Sequence, residues 1–312
     1  MNSPLNILKD RRLIESSSLS DELWDKIYGY SLQKDCENMK LSSKQLYYVQ
    51  SKIFFQTDCY KCKTIENALQ VDHVRCLEYL LKSQYENKLC VISSEYGAIK
   101  CLKFAYENGY ECNEKICENA ALYGHIDCLI YAHENGCPWD FETCENAAYN
   151  GHLNCLKYAH ENECPWDEHT CWRAEFNGHL NCLEYAHENG CPWNIKICSD
   201  VAQHGNLNCL MYTRKNGCPW NEKTCECAAG YGHLDCLVFA HENGCPWNER
   251  ACSYAAYNGH LDCLVFAHEN GCPWDNMVIK LSNYLNILKY AIDNKCPGYM
   301  HVNIKNGIIN KF

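Results

Sequence analysis

Thiols and imidazoles recur through this chain at fixed spacing. Both are zinc ligand types, and thiols also serve redox and nucleophilic chemistry. The sequence holds 27 cysteines and 14 histidines in 312 residues. A typical recurring stretch is Gly232 to Asn258, GHLDCLVFAHENGCPWNERACSYAAYN. Numbered from its glycine, cysteine stands at positions 5, 14 and 21 and histidine at 2 and 10. A metal array would need these side chains to converge. Positions 5 and 10 lie about 140° apart around a helix, so they do not. The nearest zinc-like spacing is Cys59-Tyr60-Lys61-Cys62, a CxxC without a second such pair. We expect no metal and no cofactor. A thiol-rich metal-binding protein is the competing reading. No nucleophile–base constellation, glycine-rich phosphate loop or paired acidic motif is present, so the chain is not expected to be an enzyme.

The exchanges at these sites point to packing. Position 5 is cysteine at Cys76, Cys101, Cys128, Cys155, Cys182, Cys209, Cys236 and Cys263, but isoleucine at Ile287. Position 21 is Ile65 once and then Cys90, Cys117 and Cys144. A site that accepts either residue wants a compact apolar group, and free cysteine supplies one. An odd cysteine count and a charged, polar Met1 to Asp10 oppose a secreted disulfide scaffold. Reduced thiols and an intracellular, cytoplasmic location are expected. A net charge of -11 disfavours nucleic acid. No apolar run reaches the roughly 20 residues of a membrane span, so no membrane association is expected. A basic protein surface would suit the charge.

The elements behind these side chains come from the period. Gly-His recurs at Gly124, Gly151, Gly178, Gly232 and Gly259, with Gly205-Asn206 between, in steps of 27 residues. Weaker copies begin at Gly97, Asp72 and Asn283, making nine units. Apolar residues at 3, 5, 6, 8 and 9 predict a helix over positions 3 to 12. Glycine at 13 suits a left-handed cap, and Pro at 15 stops the helix. Asp140, Asp167, Asn194, Asn221 and Asn248 at 17 are N-caps for a second helix. Two short helices per unit leave apolar faces that only neighbouring units cover.

Ala147-Ala148 or Ala255-Ala256 followed by Gly-His-Leu, and the His-Glu-Asn-Gly run, give the chain a resemblance to ankyrin repeats over roughly residues 60 to 300. The period is shorter than the usual 33 or so. The missing residues fall where that family makes its β-hairpin finger, and Thr143-Cys144 or Thr224-Cys225 replaces its threonine-proline-leucine-histidine opening. The chain is similar to the shortened arrays of giant DNA viruses. The resemblance implies an all-α solenoid of stacked helix-turn-helix repeats without long fingers. It also implies a concave groove lined by positions 23 and 26, three residues apart on one helix face. These carry Asn146 and Tyr149, Arg173 and Phe176, Asp200 and Gln203, Cys227 and Gly230, and Tyr254 and Tyr257. With Trp172, Arg173 and Phe176 form the densest aromatic and arginine cluster, a composition favoured at binding hot spots.

Trp139, Trp166, Trp193, Trp220, Trp247 and Trp274 at position 16 are expected to fill the gap left by the missing finger, each indole N–H seeking a carbonyl. The histidine at position 10 is expected at a solvated helix end, and the histidine at position 2 to bond a neighbouring loop. The N-terminal stretch resembles an F-box through Leu19-Ser20-Asp21-Glu22-Leu23, Ile27, and the Cys36, Met39-Lys40-Leu41, Ser43-Lys44 succession. The resemblance implies that Leu19, Leu23, Ile27 and Leu41 contact the Skp-type adaptor of a cullin ubiquitin ligase. The alternative is a helical pair that only caps the array. The expected organisation is a flexible 1–18, an F-box-like or capping segment 19–58, the repeats 59–300 and a C-terminal cap 301–312, with Ile304 to Phe312 as a final short helix. The expected function is a monomeric, non-enzymatic adaptor that holds a protein target, with or without ligase recruitment.

Overall fold

The computed structural model describes residues 62, 64–81, 88–192, 196–305 and 308–311. The F-box-like residues Leu19, Leu23, Ile27 and Leu41, and Trp193 and Asn194, lie outside the described residues. The chain divides into two compact units, 1–84 and 85–312. In the first, α1 (Ile65–Gln70) and α2 (Val74–Leu80) form one hairpin. Thr64 Oγ1 caps α1 by accepting from the Asn67 N–H at 3.2 Å.

The second unit repeats the hairpin. Its helices are α3 (Leu89–Glu95), α4 (Ile99–Glu107), α5 (Glu114–Tyr123), α6 (Ile126–Glu134), α7 (Phe141–Tyr149), α8 (Leu153–Glu161), α9 (Glu168–Phe176) and α10 (Leu180–Glu188). They continue as α11 (Ile197–His204), α12 (Leu207–Lys215), α13 (Glu222–Tyr231), α14 (Leu234–Glu242), α15 (Glu249–Asn258), α16 (Leu261–Glu269), α17 (Met277–Leu281) and α18 (Leu285–Asp293). This is the expected all-α solenoid of stacked helix-turn-helix units. In the regular units the odd-numbered helices begin at position 18. Asp140, Asp167, Asn221 and Asn248 cap four of them by accepting from the N–H two residues on. Leucine at 6 and the small residues at 5, 9, 21, 24 and 25 make the core, as at Leu156, Cys155, Ala159, Cys144, Ala147 and Ala148. Burial pushes the position-5 thiols Cys155, Cys182, Cys209 and Cys263 up to about 12, so they are neutral and act as packing.

Each unit locks to the next in three places. The first is the position-1 glycine. Gly124 has φ +77°, and a Cβ on it would meet the His152 ring at 2.5 Å. The same overlap recurs between Gly97 and His125, Gly151 and His179, Gly205 and His233, and Gly232 and His260. The imidazole also reaches back to the preceding turn, His125 Nε2–H donating to the Glu95 carbonyl at 3.1 Å. Position 2 is expected to bond a neighbouring loop; its acceptor is instead the last residue of the neighbouring helix α3. The second lock is the position-14 thiol. Cys164, Cys191, Cys245 and Cys272 donate to the position-17 carbonyls of the unit before, at 3.0 to 3.3 Å.

The third lock corrects two expectations. The indoles do not seek carbonyls, since no indole N–H donates to one among the described residues. Where position 10 is histidine, the half-buried position-16 tryptophan stacks on its own unit's imidazole, at 3.8 Å for His133–Trp139, His160–Trp166 and His268–Trp274. That imidazole is not a solvated helix end either. Its Nδ1 hydrogen bonds with the position-8 tyrosine of the next unit: His133–Tyr158 3.0 Å, His160–Tyr185 2.9 Å, His187–Tyr212 3.0 Å. The tyrosine and indole rings meet in T-shaped contacts, with centroids 6.2 Å apart. Where position 10 is Arg214, its guanidinium covers Trp220 instead.

Two other features depart from the reading of the sequence. Cys112 and Cys137 form a disulfide, against the expectation of reduced thiols throughout, with Cα atoms 5.4 Å apart. Cys112 occupies the tryptophan position of its unit, which brings a thiol to face the next unit's position-14 cysteine. Ile304, Lys305 and Ile308–Lys311 are strand residues and not the final helix expected for this segment. Strands β1 (Val302–Lys305) and β2 (Ile308–Lys311) pair antiparallel, Lys305 opposite Ile308. The two residues between are Asn306-Gly307, the dipeptide favoured in two-residue hairpin turns.

Among the described residues, three non-glycine residues have positive φ, Asp72, Glu163 and Lys295, and all stand at glycine positions of the repeat. Glu163 has φ +67°, whereas Gly136, Gly190 and Gly217 at the same position meet nothing where a Cβ would sit. Backbone strain alone is therefore at stake. Glu163→Gly is expected to stabilise the array by about 1 kcal/mol, read as a higher urea midpoint at unchanged slope. An unchanged or lower midpoint would contradict this.

Candidate functional site

The position-25 alanine is fully buried in five of the odd-numbered helices: Ala121, Ala148, Ala202, Ala229 and Ala256. In α9 it is Glu175, also fully buried. A carboxyl has been placed where packing asks for a methyl group, beneath the densest part of the predicted binding face. Its Oε2 lies 3.5 Å from His204 Nδ1, and its Oε1 has no hydrogen-bond partner. Burial, with the Asp200 carboxylate second, pushes Glu175 up to about 9. Burial also lowers His204. At neutral pH both groups are therefore uncharged. The sequence signal for this residue is the break in the alanine column, which was not among the expectations.

Above this carboxyl the predicted aromatic residues come together. Tyr149 stacks on Phe176 with centroids 6.1 Å apart, Trp172 lies 5.5 Å from Phe176, and Phe176 lies 4.3 Å from His204. Arg173 is already engaged. Its Nε is 3.4 Å from Glu145 Oε2, and its guanidinium sits 5.4 Å from the Tyr149 ring and 5.2 Å from the Trp172 ring. Glu145, which is nearly buried, was not singled out from the sequence. It occupies position 22, where Glu118 and Glu226 are also buried. Glu118 pairs with Lys115, and Glu226 accepts from Asn248.

Beside this cluster a cavity of about 190 Å³ is lined by Glu168, His169, Trp172 and Asp200. Asp200 thus joins Trp172 at one opening, an indole flanked by two carboxylates. Asn146 on α7 and Gln203 on α11 are half-buried. Tyr254 and Tyr257 are exposed on α15, and no contact among the described residues links them to the Arg173 cluster. Tyr254 Cβ would lie 3.1 Å from a Cβ on Gly230, so the glycine makes room for that ring. In the first unit, thiols and imidazole converge at Cys62, His73 and Cys76.

Residues 225–268 match a family model described as ankyrin repeats in many copies. Among solved structures, the chain is similar to the human ASB11 ankyrin repeat domain, at 18% identity over 50% of this chain and 84% of that one, with a TM-score of 0.45. No curated protein matches the chain.

Glu175 makes stability depend on pH. Folding raises its pKa, so the native state keeps a proton that the unfolded chain releases above the usual carboxylate value of 4.5. Its neutral burial is therefore lost as a stabilising term as pH climbs from 4.5 towards about 9. Glu175→Gln cannot titrate. Its stability advantage over the natural chain is expected to widen between about pH 6 and about pH 8, measured as the gap in urea midpoints. A gap that stays constant would refute the assignment.

Proposed function

We propose that the chain is a non-enzymatic protein-binding adaptor and that the face built on α7, α9 and α11 holds the target. One observation carries this reading: an aromatic and arginine cluster stands over a buried glutamate in helices whose other units need only alanine there. Helix packing does not require Tyr149, Trp172, Arg173 or Phe176, and Phe176 is left exposed. The ion pair to Glu145 holds Arg173 in one place, which reduces the ordering cost on binding. The indole and the two carboxylates of the neighbouring cavity suit a lysine or arginine side chain of the partner. The net charge of -11 favours the same class of target. Asn146, Asp200, Gln203, Tyr254 and Tyr257 extend this face along the array, and the chain is proposed to act as a monomer inside a cell.

The finer part of the proposal is ligase recruitment. Leu19, Leu23, Ile27 and Leu41 are its contact residues for a Skp-type adaptor, supported by the F-box-like pattern of the sequence alone. The same segment serving only as a cap for the repeats is the second reading.

Two measurements test the proposal. In affinity capture with mass spectrometry, Arg173→Ala with Phe176→Ala is expected to lose partners that the natural chain retains. Identical partner lists would remove this face as the binding site. In a pulldown with a purified Skp-type adaptor, the intact chain is expected to bind and Leu23→Asp to lose at least about tenfold in affinity, since each decade is worth about 1.4 kcal/mol. An intact chain with its helical content verified that fails to bind removes ligase recruitment and leaves the groove proposal standing.

A further inference from the structure

Thiols and imidazoles are abundant in this chain, yet among the described residues they converge as a group of three only once. Cys62 Sγ, His73 Nδ1 and Cys76 Sγ all lie within 4.8 Å of one another. Cys62 Sγ is 3.9 Å from His73 Nδ1, and His73 Nδ1 is 3.0 Å from Cys76 Sγ. Both thiols are fully buried and the imidazole is half-buried. Zinc held by sulfur at about 2.3 Å and by nitrogen at about 2.0 Å sets neighbouring ligand atoms about 3.5 to 4 Å apart. The Cys62–His73 separation lies in that range, and the His73–Cys76 separation has to widen by about half an ångström on binding.

The local structure explains why the group forms here. His73 and Cys76 occupy positions 2 and 5 of the first hairpin, the same two positions that recur along the array. In later units the imidazole leans on the glycine of the unit before, and at His125 its Nε2 meets a backbone carbonyl. At His73 the ring nitrogen Nδ1 meets two thiols instead. Asp72, with φ +49°, turns the chain between α1 and α2 so that His73 precedes α2 and Cys76 lies in its first turn. Cys62 approaches from the segment ahead of α1. The sequence spacing agrees: Cys62 closes the pair Cys59-x-x-Cys62, and His73-x-x-Cys76 is a second pair at the same spacing, beginning eleven residues after Cys62. Two such pairs make the zinc-site pattern that a single CxxC lacks. Cys59 lies outside the described residues, and the three described ligands carry the argument.

We propose that Cys62, His73 and Cys76 bind a zinc ion, three protein ligands that leave its fourth position to water or another donor. The two thiols release their protons as the zinc–sulfur bonds form, and neutral His73 coordinates through Nδ1. The ion ties the segment before α1 to the start of α2. The position-5 and position-10 groups of the other units take no part, in keeping with their divergence around the helix.

The test is elemental analysis of the intact chain purified without chelators. About one zinc per chain is expected, lost in His73→Ala and in Cys76→Ser and retained in Cys263→Ala, which removes a position-5 thiol of a later unit. A variant that fails to fold would lose metal for that reason alone. The natural chain is therefore also stripped with chelator and titrated with cobalt(II), with circular dichroism confirming its helices. A thiolate-to-cobalt charge-transfer band that saturates near one equivalent and is displaced by zinc supports the site. A natural chain with neither zinc nor that band would show a thiol–imidazole hydrogen-bond cluster only and overturn the proposal. Zinc that persists in both folded variants would overturn it as well.

Discussion

The array depends on how closely two successive turns can approach. The position-1 glycine carries a left-handed backbone, and the ring of the next unit's histidine occupies the space a Cβ would need. No other residue meets both conditions without strain. The contact fixes the distance between hairpins, and the other locks follow from it: the thiol-to-carbonyl bonds, and the column of tryptophan, histidine and tyrosine. Two exceptions show what the site requires. Asn206 takes the histidine's place against Gly178 and donates to the Glu175 carbonyl at 2.5 Å, while Tyr284 covers Gly259 with its ring. The chemistry of the partner changes, but a flat group over a bare glycine is kept.

Much of this was legible because the chain is its own comparison set. Recurrence at 27 residues separates what packing demands from what one unit has altered. It revealed the helices, their caps and the core role of the cysteines. It did not reveal the tryptophan partners. Stacking on the position-10 histidine within a unit, and the tyrosine bond across units, depend on crossing geometry that spacing leaves open. The terminal ribbon was missed because its two strands are short and no neighbouring unit repeats them.

At the candidate site the legible part was the aromatic and arginine composition of α9. Glu145, Glu175 and His204 were not singled out, although Glu175 breaks an alanine column that can be read by eye. A buried neutral carboxyl under an exposed aromatic patch lowers the stability of the helix that carries it. Such a placement fits a surface shaped for something other than its own folding. The convergence of Cys62, His73 and Cys76 was hidden for another reason. Its second pair mixes a histidine with a cysteine, and in the later units those two positions serve the glycine contact and the core.

Helices α14 and α16 have the same nine residues, LDCLVFAHE, and each hairpin meets its neighbours through a glycine covered by a flat ring, a thiol-to-carbonyl bond and a histidine–tryptophan stack. Any hairpin of the array therefore presents nearly the same upper and lower surface. A gene segment encoding one 27-residue unit could be duplicated or deleted without creating a new interface, so the length of the array is open to change by whole steps. The same equivalence carries a risk during folding: a hairpin can dock on the wrong copy of its neighbour. Units that depart from the pattern, such as the one with Glu175 or the one with Arg214, act as the register marks that distinguish one step from the next.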